Sequence, residues 1–110
     1  MKLTDEERFA LTVLFPGSTG IDLCVRNALD EARVIDRRFT GVGFFSSIAL
    51  PLQIDEREEG SRDWNFQHTE LDLGGSFMCA ISHGGSIDLE AVALTGEWPR
   101  TFDPRKFSEM

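Results

Sequence analysis

The chain has no tyrosine, only two cysteines and two histidines among 110 residues, and eleven lysines and arginines against nineteen aspartates and glutamates. Each shortage excludes something. With tyrosine absent, the nine Phe and two Trp are mostly rings without a hydrogen-bonding tip, and they favour a buried core over a disordered tail. Cys24 and Cys79 lie far apart among apolar neighbours, as buried free thiols do, which argues against a disulfide scaffold and predicts a reducing cytoplasm. The net charge of −8 repels phosphate backbones and anionic headgroups, so neither nucleic acid nor a membrane surface is an expected partner. No run approaches the ~20 apolar residues of a membrane span, and Met1-Lys2-Leu3-Thr4-Asp5-Glu6-Glu7 lacks the apolar stretch of a secretory signal.

What is present fits one small domain over residues 1–110, since 41% apolar residues close one core but hardly two. Thr4 followed by Glu7 is a capping-box pattern, and Asp5 and Glu6 add negative charge at the positive end of a helix dipole. A first helix is predicted at about 4–15, stopped by Phe15-Pro16-Gly17. Ile21, Cys24, Val25, Ala28, Leu29 and Ala32 recur at three- and four-residue steps, which predicts a second helix at about 19–31. Neither helix can bury its stripe alone, so a helical hairpin covering a sheet is expected.

From Arg33 onward the pattern becomes β-rich. Strands are predicted at about 33–40, 42–50, 65–73, 76–83 and 86–95, the last three joined by turns at Gly74-Gly75 and Gly84-Gly85. The mixed faces of these strands suggest a sheet covered in parts on both sides. Residues 53–63 read as a charged loop, and no regular structure beyond a short turn is expected after Pro99. The expected fold is therefore α+β, an N-terminal helical hairpin on a mostly antiparallel sheet of about five strands.

Thr40-Gly41-Val42-Gly43-Phe44-Phe45, followed by Gly84-Gly85-Ser86-Ile87-Asp88-Leu89-Glu90 and Glu97-Trp98-Pro99, resembles a family of small bacterial proteins of unknown activity. The likeness spans about residues 32–99 and rests on turns and core positions. Arg38 departs from it, standing where an acidic residue is expected after Arg37. The resemblance implies an α+β fold and a bacterial source and carries no chemistry.

Several constellations invite a functional reading, each beside a plainer one. His68 alternates with Phe66, Glu70 and Asp72, and His83 stands at a hairpin mouth where an exposed turn residue is the ordinary explanation. If strands 65–73 and 86–95 are close, His68, Glu70 and Asp72 approach Asp88 and Glu90 in a mixed metal site, although no metal-binding spacing supports one and no cofactor is expected. Glu70 and Glu90 as paired glycosidase carboxylates need a sugar-sized cleft that a chain this short rarely supplies. Gly41-Val42-Gly43 lacks the lysine and helix of a phosphate loop and reads as a bulge. Arg33 and Arg37 share a strand face by parity, with Arg38 opposite, and pairing with nearby carboxylates is their plainer role.

The most suggestive feature is Asp55, Glu56, Glu58, Glu59 and Asp63 running into Trp64, a negative segment beside an aromatic anchor. The alternative for it is a solvated loop with Trp64 in the core. The leading expectation is a non-catalytic interaction domain that binds a basic protein, immunity proteins being one example, and that is a monomer or a homodimer. The other expectation is a ligand-binding or enzymatic pocket between helices and sheet, lined by Phe44, Phe45, His68 and Phe77.

Overall fold

A computed structural model describes residues 1–82 and 84–110, with the side chain of Glu56 also left undescribed, so His83 and the Glu56 side chain lie outside the described residues. The first helix, α1, spans Asp5–Leu14 and starts as its sequence requires. The Thr4 hydroxyl accepts from the Glu7 amide at 3.1 Å, and the Glu7 carboxylate accepts from the Thr4 amide at 2.8 Å. The second helix, α2, is Gly20–Asn27, shorter than its apolar stripe predicts, because Ala28 leaves the helical region and the chain tightens into a 3₁₀ turn at Leu29–Glu31. That turn keeps Leu29 and Ala32 buried without prolonging α2.

Six strands follow: β1 Arg33–Phe39, β2 Gly43–Ala49, β3 Gly60–His68, β4 Leu71–Ser82, β5 Ser86–Ala93 and β6 Phe107–Glu109. They form one antiparallel sheet in the order β1-β2-β5-β4-β3-β6. The fold is α+β as expected, with one strand more. That extra strand, β6, lies in the tail where only a turn is expected. The 3₁₀ turn Pro104–Lys106, capped by Asp103, reverses the chain, and Phe107 then packs on Phe66, Phe77 and His68.

Two boundaries differ from the expected ones for physical reasons. The charged segment 53–63 is half structured: a 3₁₀ turn at Glu56–Glu58 leads directly into β3 at Gly60. The inward position that hides the alternation there is Arg62, whose guanidinium lies over the Phe15 ring at 4.5 Å while its N–H groups reach polar partners. Gly74-Gly75 is not a turn, and β4 runs straight through it. The hairpin turns instead at Thr69-Glu70, and Gly74, at φ 67°, forms a bulge in which Leu71 to Gly75 stands opposite His68 to Phe66. A side chain at Gly74 would collide with the Phe66 carbonyl, so glycine serves a close backbone approach rather than a reversal. Gly84 and Gly85 do have the positive φ of the predicted β4–β5 hairpin.

Both helices pack on one face of the sheet, and the expected cover on the other face is missing among the described residues. The inner face carries Phe44, Ile48, Phe77, Ile87 and Leu89 against Leu11, Leu14 and Val25. The outer face carries Phe45, Ser47, Met78, Asp88 and Glu90, none of them buried. A bulge at Ile35 breaks the parity of β1: Val34 faces Ile48, Asp36 faces Ser47, and Arg37 faces the buried Ser46. Arg33 and Arg37 therefore lie on opposite faces, not on a shared one. Cys24 is exposed rather than buried, whereas Cys79 is in the core, where burial pushes its thiol up to about 11.

Candidate protein-interaction surface

The helical layer is joined to the sheet by a buried carboxylate. Glu7 is 1% exposed and accepts two hydrogen bonds from Arg37, at 2.7 and 2.9 Å, and one from Ser46 at 2.5 Å. Burial alone would raise this carboxyl, but the hydrogen bonds from Arg37, Ser46 and the Thr4 amide outweigh it and hold the group below its ordinary value. The capping box points to Glu7 in the sequence; its burial depends on Arg37 arriving from β1. Next to this pair, the backbone of Met1 bonds to both main-chain groups of Val34, at 2.7 and 3.4 Å, and covers that part of the β1 edge.

The opposite edge is built differently. β6 pairs with only Phe66, Gln67 and His68 of the nine-residue β3. Beyond it, Met110 donates to the Asn65 carbonyl at 3.1 Å, and no described strand lies beside Gly60–Trp64 on the side away from β4. Main-chain groups alternate in direction along an antiparallel strand. Since Asn65 and Thr69 turn theirs toward the β6 side, Ser61 and Asp63 present theirs to the vacant edge.

Along that edge runs a cleft of about 730 Å³ bordered by Val13, Leu14 and Pro16 from the helical side and by Arg62, Asp63, Trp64 and Glu109 from the sheet. The guanidinium of Arg62 bonds to the Leu14 carbonyl at 3.1 Å and to Asp22 at 2.9 Å. The Arg62 hydrogen bond holds the Asp22 carboxyl below its usual range. Arg26 donates to the Phe15 and Gly17 carbonyls at the end of α1, so the cationic groups of the cleft are engaged within the fold.

The acidic segment adjoins this edge. Asp55 accepts from the Arg57 amide at 2.9 Å and pairs with its guanidinium at 3.0 Å, and Glu58 and Glu59 are exposed immediately before β3. Asp63 and Trp64 are consecutive on β3 and project to opposite faces, yet both border the cleft. The Trp64 indole is half-buried, edge-on to Phe9 at 6.0 Å and parallel to Phe77 at 6.2 Å, so it belongs to the core wall as well as to the cleft. A second hollow of about 200 Å³, lined by Ile21, Leu52 and Ile54 with Asp55 and Glu58, lies between α2 and the same segment.

The residues of the alternative pocket are not brought together. Phe44 and Phe77 are buried on the inner face, but Phe45, as the next residue on β2, is on the outer face opposite Glu90. His68 is buried at the end of β3, where Nδ1 accepts from the Glu70 amide at 3.0 Å and the ring stands edge-on to Phe107. Burial lowers its pKa from the ordinary value. β4 separates β3 from β5, so His68 and Glu70 do not meet Asp88 and Glu90; the described residues contain no metal-binding cluster of His, Cys, Asp and Glu. Glu70 pairs instead with Lys106 at 2.8 Å.

A further groove escapes sequence reasoning altogether. Hollows of about 250 and 340 Å³ meet at Glu6 and Phe39, between the start of α1, the β1–β2 turn and the loop at Trp98. Glu6 accepts from the Trp98 indole at 3.0 Å, and burial raises its pKa against that hydrogen bond. The residues sit ninety-two positions apart, and no local pattern links them.

Comparison with known proteins finds no matching protein family, no matching curated protein and no matching solved structure. No helix among the described residues is long and apolar enough to cross a membrane.

Proposed function

We propose that the protein is a non-catalytic interaction domain that binds a basic protein partner at the β3 edge and the acidic segment leading into it. One observation carries the reading: an open cleft of about 730 Å³ bordered by Asp63, Trp64 and Glu109. Asp55, Glu58 and Glu59 stand just before this edge in the chain, whose net charge is −8. A field of one sign around a half-apolar cleft steers an oppositely charged partner and raises its encounter rate, while the apolar floor supplies the contact that slows dissociation. A toxin neutralised by its immunity protein is one partner of this kind.

The test begins with a basic protein captured from host lysate at low salt and purified. Stopped-flow association is then compared for the wild type and for the combined variant Asp55→Asn, Glu58→Gln, Glu59→Gln. Association is expected to slow about tenfold at low salt and to lose most of its salt dependence, with dissociation little changed. Equal association rates would remove the acidic segment from the interface.

A further inference from the structure

We propose that Gly60–Trp64 is a docking edge for an extended basic segment, which adds to the sheet as an antiparallel strand in the line of β6. The inference rests on the basic-partner reading and names how such a partner is held. β6 already uses this edge over Phe66–His68 and Met110 bonds to Asn65, so the edge accepts a strand, and the place beside Gly60–Trp64 in the same line is vacant among the described residues. The vacancy is about 17 Å long at ordinary strand rise. Ser61 and Asp63 offer outward main-chain donors and acceptors along it, the requirement for strand addition.

The register also sets the pattern of the guest. A residue opposite Trp64 projects its side chain into the cleft against Val13 and Leu14, where an apolar group fits. Its neighbour, opposite Asp63, projects onto the outer face, where a lysine or arginine forms a cross-strand charge pair. The segment recognised is therefore a strand of alternating apolar and basic side chains.

A second copy of the chain is the poorer occupant. Two-fold antiparallel pairing of this edge centred on Asp63 or Arg62 sets that charge against itself, and centring on Ser61 sets Asp63 against Glu59. Centring on Trp64 requires Phe66, whose edge β6 already occupies. Each copy also carries a charge of −8.

The probe is a capped hexapeptide of alternating lysine and valine, titrated against the full chain, with amide hydrogen exchange read by nuclear magnetic resonance. Exchange at Ser61 and Asp63 should slow about tenfold or more, while Arg62, already laddered to Cys79, stays as it was. Methylating the peptide amides that face the edge, or introducing Ser61→Pro, should weaken binding about tenfold, since each removes one donor outside the native ladder. A peptide that binds without protecting Ser61 and Asp63, or equally well when methylated, overturns strand addition and leaves the basic-partner reading standing. A glutamate and valine peptide that binds as tightly as the lysine one overturns the charge preference and leaves strand addition standing. Protection of the same amides without peptide, rising with protein concentration, makes a second copy the occupant and overturns the proposal.

Discussion

At its β1 edge the sheet carries a bulge at Ile35, an ion pair between Asp36 and Arg38 at 2.9 Å, and the Met1 backbone bonded across Val34; Gly60–Trp64 at the β3 edge carries none of these. Exposed edges template pairing with other chains, and proteins ordinarily blunt them by bulges, inserted charge or cover. Here one edge is blunted and the other is half-covered by β6 and then left open beside an apolar cleft. Among the described residues, unpaired main-chain groups of the sheet edge are therefore left accessible at Ser61 and Asp63. The acidic segment leads into that open edge along the chain.

The largest expected effect breaks the protected edge at its anchor. Glu7→Ala leaves the partly buried Arg37 guanidinium and the buried Ser46 hydroxyl without their partner and removes a capping-box bond, and should cost about 3 kcal/mol in urea unfolding. Deleting Ile35 sharpens the comparison at smaller cost. Val34 opposite Ile48 and Asp36 opposite Ser47 then become consecutive pairs, so Arg37 still reaches Glu7 while the bulge is lost. Stability should change by about 1 kcal/mol, and sedimentation should reveal concentration-dependent self-association through the straightened β1 edge.

At the β3 edge the expected effects are milder and depend on pH. His68 is buried as the neutral ring, with Nδ1 accepting the Glu70 amide, and burial lowers its folded pKa below the ordinary 6.5. The unfolded chain therefore binds the extra proton more readily. Its contribution to stability is complete above about pH 6.5 and is lost as pH falls toward the lowered value, with the β3–β4 turn and β6 loosened first. Urea midpoints between pH 7.5 and 5.5 should fall in the wild type and fall less in His68→Gln. The smallest effect is that of Asp63→Asn, an exposed outer-face change that should leave stability within about 0.5 kcal/mol while weakening the lysine-valine peptide.

Much of the fold was legible because local chemistry specifies it. Thr4 and Glu7 mark the start of α1, Pro16 lies just past its end, and Gly84-Gly85 marks a real hairpin. Gly74 misleads because the same positive φ serves a bulge as well as a turn, and only the Phe66 carbonyl beside it distinguishes the two. β3 was half hidden because Arg62 occupies an inward position that alternation assigns to an apolar residue, and its partners, Leu14 and Asp22, lie forty and more positions away. Of the candidate site, Asp63 and Trp64 were visible as types, but their place beside an open edge was not.

The α+β composition, the order of helices before strands, the single apolar core and the strongly negative field are all readable from the unfolded chain. Those properties follow from residue type, spacing of neighbours and summed charge, all present in the chain before it folds. Only the folded structure places β3 near an edge, pairs β6 with its Phe66–His68, buries Glu7 against Arg37 and brings Glu6 to Trp98. Strand order and carboxylate burial are set by which distant segments pair when one core closes, and an edge is defined by the neighbour a strand does not have.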